Sequence, residues 1–360
     1  MNRKMVYRRV LLLVLAMSLV FSIYYIDRTL PVEEIEERSL MSVNASEEEY
    51  VYPCGFQVGI YLQTKGVMII GTDEVEDENG VNMNPALNKV KAGDYITKIN
   101  DIDVSSKSQL VFLVNKYGDE DVVLTILRNG QTIEVKISPV KTGKDEYKLG
   151  IWVRDDTQGI GTMTYLTEDG SYGALGHGIS DIDTGELLDS KGGILYQANV
   201  WGIKKGEKGN PGALYGMISY EDDKIQGSIL ENTSIGIYGT LSNKNKVQQL
   251  IDAYGLEPLQ TAMSSEIQKG KAYIRSNVSG QLCDYEVEIE KINKSSNDNK
   301  GLVLEVTDER LLGLTNGIVQ GMSGTPIIQD GKIIGAVTHV FVNDSTRGYG
   351  IFIENMLNHD

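Results

Sequence analysis

Cysteine, histidine and phenylalanine are all scarce in this 360-residue chain. There are two cysteines, Cys54 and Cys283. They allow at most one bridge and no disulfide framework, so two unpaired thiols are expected. Three histidines, with no His-Glu-x-x-His run, no Cys-x-x-Cys pair and no phosphate-binding glycine loop, leave metal and nucleotide chemistry unsupported, and no cofactor is expected. Positive charge is also short: 34 Lys and Arg stand against 50 Asp and Glu, a net charge of −16 that repels nucleic acid. Against 5 phenylalanines there are 39 glycines, a composition of short strands and turns in a mainly β protein. The length suggests two or three domains.

Long apolar runs are absent but for one. Val10 to Ile26 carries no charge, follows Arg3, Lys4, Arg8 and Arg9, and ends at Asp27 and Arg28. Basic residues ahead of an apolar stretch orient it with its N-terminus in the cytoplasm. The residues after it, Tyr24-Tyr25-Ile26-Asp27-Arg28, lack the small side chains of a cleavage site. Residues 1–30 therefore read as an uncleaved signal anchor, a transmembrane helix that leaves the rest of the chain outside the cytoplasm. Residues 31–50, with Glu33, Glu34, Glu36, Glu37 and Glu47 to Glu49, read as an acidic linker.

From residue 51 to 140 the pattern is that of one small α+β module. Val67 to Ile70 and Tyr95 to Ile99 suit strands. Ser106 can cap a helix that carries Leu110, Leu113, Val114 and Tyr117 on one face and stops at Gly118. Asn129-Gly130 joins Val122–Leu127 to Ile133–Ile137 as a tight hairpin. Residues 145–360 then show strand after strand broken by glycine, the text of a barrel or a pair of barrels. Examples are Gly159 to Tyr165, Ala272 to Val278 and the Asp330-Gly331 hairpin.

The chemistry concentrates in Gly321-Met322-Ser323-Gly324-Thr325-Pro326. A serine hydroxyl attacks only when a base takes its proton and no side chain covers it. Flanking glycines permit a tight exposed turn, which can aim the Gly321 and Ser323 amides at one point as an oxyanion hole. The base is sought among three histidines. His359 lies next to the C-terminus, and His339 sits in the apolar strand Ala336–Val340, where a structural role is expected. His177 lies between Gly176 and Gly178, in a loop that can project an imidazole into a cleft. The carboxylate that would orient it is Asp181, Asp183, Asp308 or Asp344, and spacing does not choose. Asp183-Thr184-Gly185 matches an aspartic-protease loop, but that chemistry needs two such loops and no second one occurs.

With these residues in place, the chain resembles the stage IV sporulation protein B peptidases of endospore-forming bacteria. The resemblance rests on Gly317 to Gln329, on Gly335 to Val340 and on Ala174-Leu175-Gly176-His177-Gly178. Thr325 stands where the family's serine loop usually has serine. The resemblance implies a trypsin-like double β-barrel behind a PDZ domain, and a triad of His177, Asp308 and Ser323. Residues 51–140 look like a PDZ domain of exported proteases through Asn84-Pro85-Ala86 and Lys91 to Asn100, with Val58-Gly59-Ile60 as the loop whose amides capture a peptide C-terminus. It further implies a sporulation signal in the space between forespore and mother cell. There the protein would cleave itself and a membrane-bound regulator of an intramembrane protease, triggering processing of a late sigma-factor precursor. Its partners would be protein substrates, other copies of itself and the membrane. A catalytically inert, PDZ-containing scaffold is the alternative.

Overall fold

The computed structural model describes residues 49–296 and 298–359. The expected anchor and nearly all of the acidic linker lie outside them. None of the described helices is long and apolar enough to cross a membrane.

The chain opens with β1 (Tyr50–Pro53) and the long β2 (Gln57–Thr72). A small module follows, made of β3 (Tyr95–Ile99), α1 (Lys107–Tyr117) and the hairpin β4 (Val122–Arg128) and β5 (Gln131–Ile137). The Ser106 side chain accepts from the Gln109 amide and Gly118 ends the helix, as the capping pattern requires. Asn129 and Gly130 both take positive φ, 51° and 75°, the geometry of a two-residue hairpin turn. Leu110, Leu113 and Val114 of α1 pack on Ile96, Leu124 and Ile126 to form the module's own core.

After the module come β6 (Ile151–Leu166), β7 (Ser171–Ala174), β8 (Ser190–Lys204), β9 (Ala213–Ile218), β10 (Ile225–Thr233) and β11 (Gly236–Leu241), then α2 (Lys244–Tyr254). Five of these strands close a ring with β2: β2 pairs β6, β6 pairs β7, β7 pairs β11, β11 pairs β10, β10 pairs β8, and β8 returns to β2. Phe56, Val58, Met163, Tyr172, Leu195 and Ile237 fill its interior.

The second half consists of β12 (Gly270–Ser276), β13 (Cys283–Ile292), β14 (Leu302–Val306), α3 (Glu309–Thr315), β15 (Pro326–Gln329), β16 (Lys332–Phe341), β17 (Asp344–Phe352) and α4 (Ile353–Leu357). Its six strands form a closed barrel in the order β12-β13-β14-β17-β16-β15. β13 shows why: Tyr285, Val287 and Ile289 point inward while Glu286 and Glu288 alternate with them. Two six-stranded barrels in succession give the double-barrel architecture expected of a trypsin-like enzyme.

One boundary differs from the expected one. The first barrel begins before the module: β1 and the first half of β2 belong to it, and the module is inserted between the two halves of the β2–β6 pairing. Val58, Gly59 and Ile60 are consequently not a capture loop. They lie mid-strand in β2, with Gly161, Gly159 and Ile160 opposite them on β6 and Gln197, Tyr196 and Leu195 on β8. With both edges of the strand paired, no row of amides is left open to a peptide carboxylate. A run such as Val-Gly-Ile before an apolar strand fits either setting, and the barrel's need for a sixth strand decided it.

Candidate active site

His177 leaves the first barrel just after β7, and Ser323 enters the second just before β15. Both line one cavity of about 450 Å³ between the barrels, together with His339, Thr338, Leu175 and Ile60.

The serine loop depends on a close approach. Gly324 has φ 93°, and a Cβ there would stand 2.2 Å from the carbonyl oxygen of Thr162. Only glycine lets β6 of one barrel and the serine turn of the other meet so closely. The Thr162 amide donates to the Ser323 carbonyl at 3.1 Å, and its hydroxyl donates to the Gly321 carbonyl at 2.7 Å. Thr325 donates its hydroxyl to the Met322 carbonyl at 2.6 Å, so the threonine fastens the turn from within. Among the described residues, the amides of Gly321 and Ser323 donate to no protein group. They are the two donors assigned to an oxyanion. The Ser323 hydroxyl donates to the Thr338 carbonyl at 2.7 Å, so in this state its proton points at backbone and not at an imidazole.

The His177 ring is set by its own neighbour. Nδ1 lies 2.8 Å from the Gly178 carbonyl oxygen. A carbonyl only accepts, so Nδ1 carries the proton and Nε2 keeps its lone pair, the tautomer a general base needs. Burial holds the imidazole below its ordinary pKa, and the Gly178 carbonyl partly offsets that. The loop beyond it is clamped by Asn232 at the end of β10. The Asn232 side chain accepts from the Ile179 amide at 2.8 Å and donates to the carbonyls of Ile179 and Leu188 at 2.9 Å each. A lone asparagine in Glu231-Asn232-Thr233 carries no signal of this role in the sequence.

The structure does not bring Asp308 to His177. Asp308 is the N-cap of α3. Its carboxylate accepts from the amides of Arg310, Leu311 and Glu286 and pairs with the Arg310 guanidinium at 2.7 Å. Arg310 foremost holds its pKa down at about 2. Asp344 is likewise occupied, by the amide and hydroxyl of Thr346, and Asp181 and Asp183 bind Arg154. Among the described residues no carboxylate is hydrogen-bonded to His177. The Val306-Thr307-Asp308 segment makes a helix start because Asp is a strong capping residue, and the cap engages the carboxylate.

His339, expected to be structural, faces the cavity instead. Its ring centroid lies 4.8 Å from that of His177 at 35°. Burial, then the charges of His177 and Lys300, lower its pKa to about 4. Its Nδ1 is buried with no partner among the described residues. Residues 333–338 of β16 are buried without alternation, so period-two reasoning says nothing about which way His339 points.

A model of the SpoIVB peptidase S55 family matches residues 145–357. Among solved structures the chain is similar to an HtrA-type protease, AlgW with a tripeptide, at 15% identity and TM-score 0.31, over 56% of this chain and 54% of that one. It is also similar to an inactive, serine-to-alanine form of Rv3671c from M. tuberculosis H37Rv, at 12% identity and TM-score 0.28, over 56% of this chain and 80% of that one. The match thus spans about half the length of the HtrA-type protease. No curated protein matches the chain. The family match extends over most of both barrels, including His177 and Ser323, and the chain belongs to the SpoIVB peptidase S55 family of serine peptidases.

Proposed function

We propose that this chain is a sporulation-signalling endopeptidase with Ser323 as nucleophile and His177 as general base. The observation that carries it is the meeting of the two side chains on one cavity between the barrels, beside two unused amides. In this reading the Ser323 hydroxyl turns from the Thr338 carbonyl to Nε2 of His177, which takes its proton as Oγ attacks the peptide carbon. The carbonyl oxygen, now negative, accepts from the Gly321 and Ser323 amides. The imidazolium then protonates the leaving amine, and water hydrolyses the acyl-enzyme by the same route. The apolar walls given by Ile60, Leu175 and Ile318 suit an extended peptide with aliphatic side chains.

A fluorophosphonate probe tests this directly: it should label Ser323, and His177→Ala should lower the rate by about 10⁴-fold or more. Labelling that persists at the original rate without the imidazole removes His177 from the mechanism.

The module fits a PDZ-type peptide receptor, now with its capture edge elsewhere. Among the described residues β6 at Ile151–Arg154 pairs with β2 alone, and it runs beside α1, whose Lys107 amide donates to Asp155 at 2.7 Å. An extended peptide can add at that edge. The basic-then-apolar N-terminus supports export and anchoring, and with it a site between forespore and mother cell. There the peptidase would cleave itself and a membrane-bound regulator of an intramembrane protease. Expression with residues 1–48 intact should yield fragments starting beyond residue 30 from the wild type and none from Ser323→Ala.

A further inference from the structure

The loop that carries the base is held from outside its own barrel. Between His177 and β8 the chain makes a narrow excursion, with Ser180 bridged to Leu187 and Leu188 bonded back to Ile179. At its tip Asp181 is buried, its side chain wholly inaccessible, and one carboxylate oxygen accepts from the amides of Asp183 and Thr184 at 2.9 Å each. The other oxygen meets Arg154, which also reaches Asp183 at 2.9 Å. Arg154 lies on β6 opposite Met68, in the half of that strand that belongs to the inserted module. A second tie from the module runs beside it: the Tyr95 hydroxyl accepts from the Asp189 amide at 3.0 Å, where the loop joins β8.

We propose that Arg154 and Asp181 are positioning residues for the catalytic base, an ion pair through which the inserted module holds the His177 loop in its working place. The physical case starts from Asp181. A carboxylate without solvent is tolerable only when charge and hydrogen bonds compensate it. Two amides of its own turn do part of this, and among the described residues the one cation paired with it is Arg154. Removing the guanidinium leaves a buried, unpaired charge, and the loop regains water only by moving off the module. That motion passes to Gly178, whose carbonyl fixes the tautomer of His177. A side-chain fork that bonds two carboxylates at once also fixes direction, which a lysine ammonium does less well. Arg154 ends the β6 edge at which a peptide can add, so occupancy of that edge and the setting of the base share one side chain.

The inference rests on His177 and Ser323 being the catalytic pair, and the test separates the two. Hydrogen exchange is followed at residues 178–188, and fluorophosphonate labelling is followed at Ser323, in the full chain. Arg154→Ala should speed exchange across that loop and slow labelling, each by about tenfold or more, with Arg154→Lys between it and the wild type. Arg128→Ala is the control: it breaks another module pair, to Asp94, whose side chain is 2% exposed, and the Arg128 guanidinium bonds Asp94 and the Lys89 carbonyl, not residues of the His177 loop. It should leave both readouts within about twofold among folded molecules. If Arg154→Ala fails to fold, Arg154→Ala with Asp181→Asn removes the unpaired charge and should still show the fast exchange and slow labelling. Wild-type exchange and labelling in the Arg154 variants, or equal effects from Arg128→Ala, overturn the proposal. An unlabelled wild type refutes the catalytic reading, and the exchange data then decide the ion pair by themselves.

Discussion

Asp308→Asn separates a structural aspartate from a catalytic one. As the N-cap of α3, Asp308 accepts three amide hydrogen bonds and pairs with Arg310. Asparagine caps a helix about as well as aspartate, so the substitution keeps the cap and removes only the charge. A carboxyl held at about 2 in place of 3.8 is stabilised on folding. That shift corresponds to about 2 kcal/mol, which screening around the largely exposed Arg310 reduces to about 1 kcal/mol. Asp308→Ala removes the cap as well and adds about 1 kcal/mol. For a protein of this size these losses lower Tm by about 2–4 °C per kcal/mol. The sign with pH follows from a depressed folded pKa: the contribution is full above the unfolded pKa of 3.8 and fades as pH falls toward about 2. Fluorophosphonate labelling of Ser323, measured beside thermal unfolding, is the assay. The expected result is a labelling rate within a few-fold of wild type and a modestly lower Tm. An aspartate that orients a catalytic imidazole behaves otherwise, its replacement by asparagine costing about 10⁴-fold in rate. A loss of that order in Asp308→Asn at unchanged Tm would refute the placement of Asp308 away from His177.

Two further outcomes follow from the site. Burial holds both His177 and His339 below the ordinary 6.5, His339 at about 4. Labelling should therefore persist below pH 6.5 and fall only when His177 itself protonates; stability should decline from about pH 6.5 toward 4, where unfolded imidazoles bind protons and folded ones do not. A labelling midpoint at or above 6.5 contradicts the burial. Gly324→Ala puts a methyl 2.2 Å from the Thr162 carbonyl at φ 93°, and should cost about 3 kcal/mol or more and abolish labelling. A stable, labelled Gly324→Ala protein refutes the stated contact between β6 and the serine turn.

What the sequence discloses and what it hides divide along a physical line. Local devices are legible: the Ser106 cap, the Asn129-Gly130 and Asp330-Gly331 turns, the alternation of Tyr285, Val287 and Ile289, and the glycine-flanked Ser323 and His177 all act within a few residues. The parts that escaped depend on long-range closure. Val58 to Ile60 became a barrel strand because β6 and β8, about 100 and 135 residues on, supply partners for both edges. Spacing does not choose among four aspartates, and Asp308, which the resemblance implies, has its carboxylate taken up by Arg310 and three amides. What meets His177 is set by the loops of the first barrel: the Gly178 carbonyl on Nδ1, Asn232 on the loop behind it, and Arg154 reaching in from the module. An imidazole oriented by backbone needs its backbone held. Inserting the module between β2 and β6 provides the hold, because β6 runs unbroken from Arg154 to Thr162, from the ion pair on the base loop to the hydrogen bonds on the serine turn. One strand thus ties both halves of the candidate dyad to the module, and that connection is a property of the closed barrel that no local motif announces.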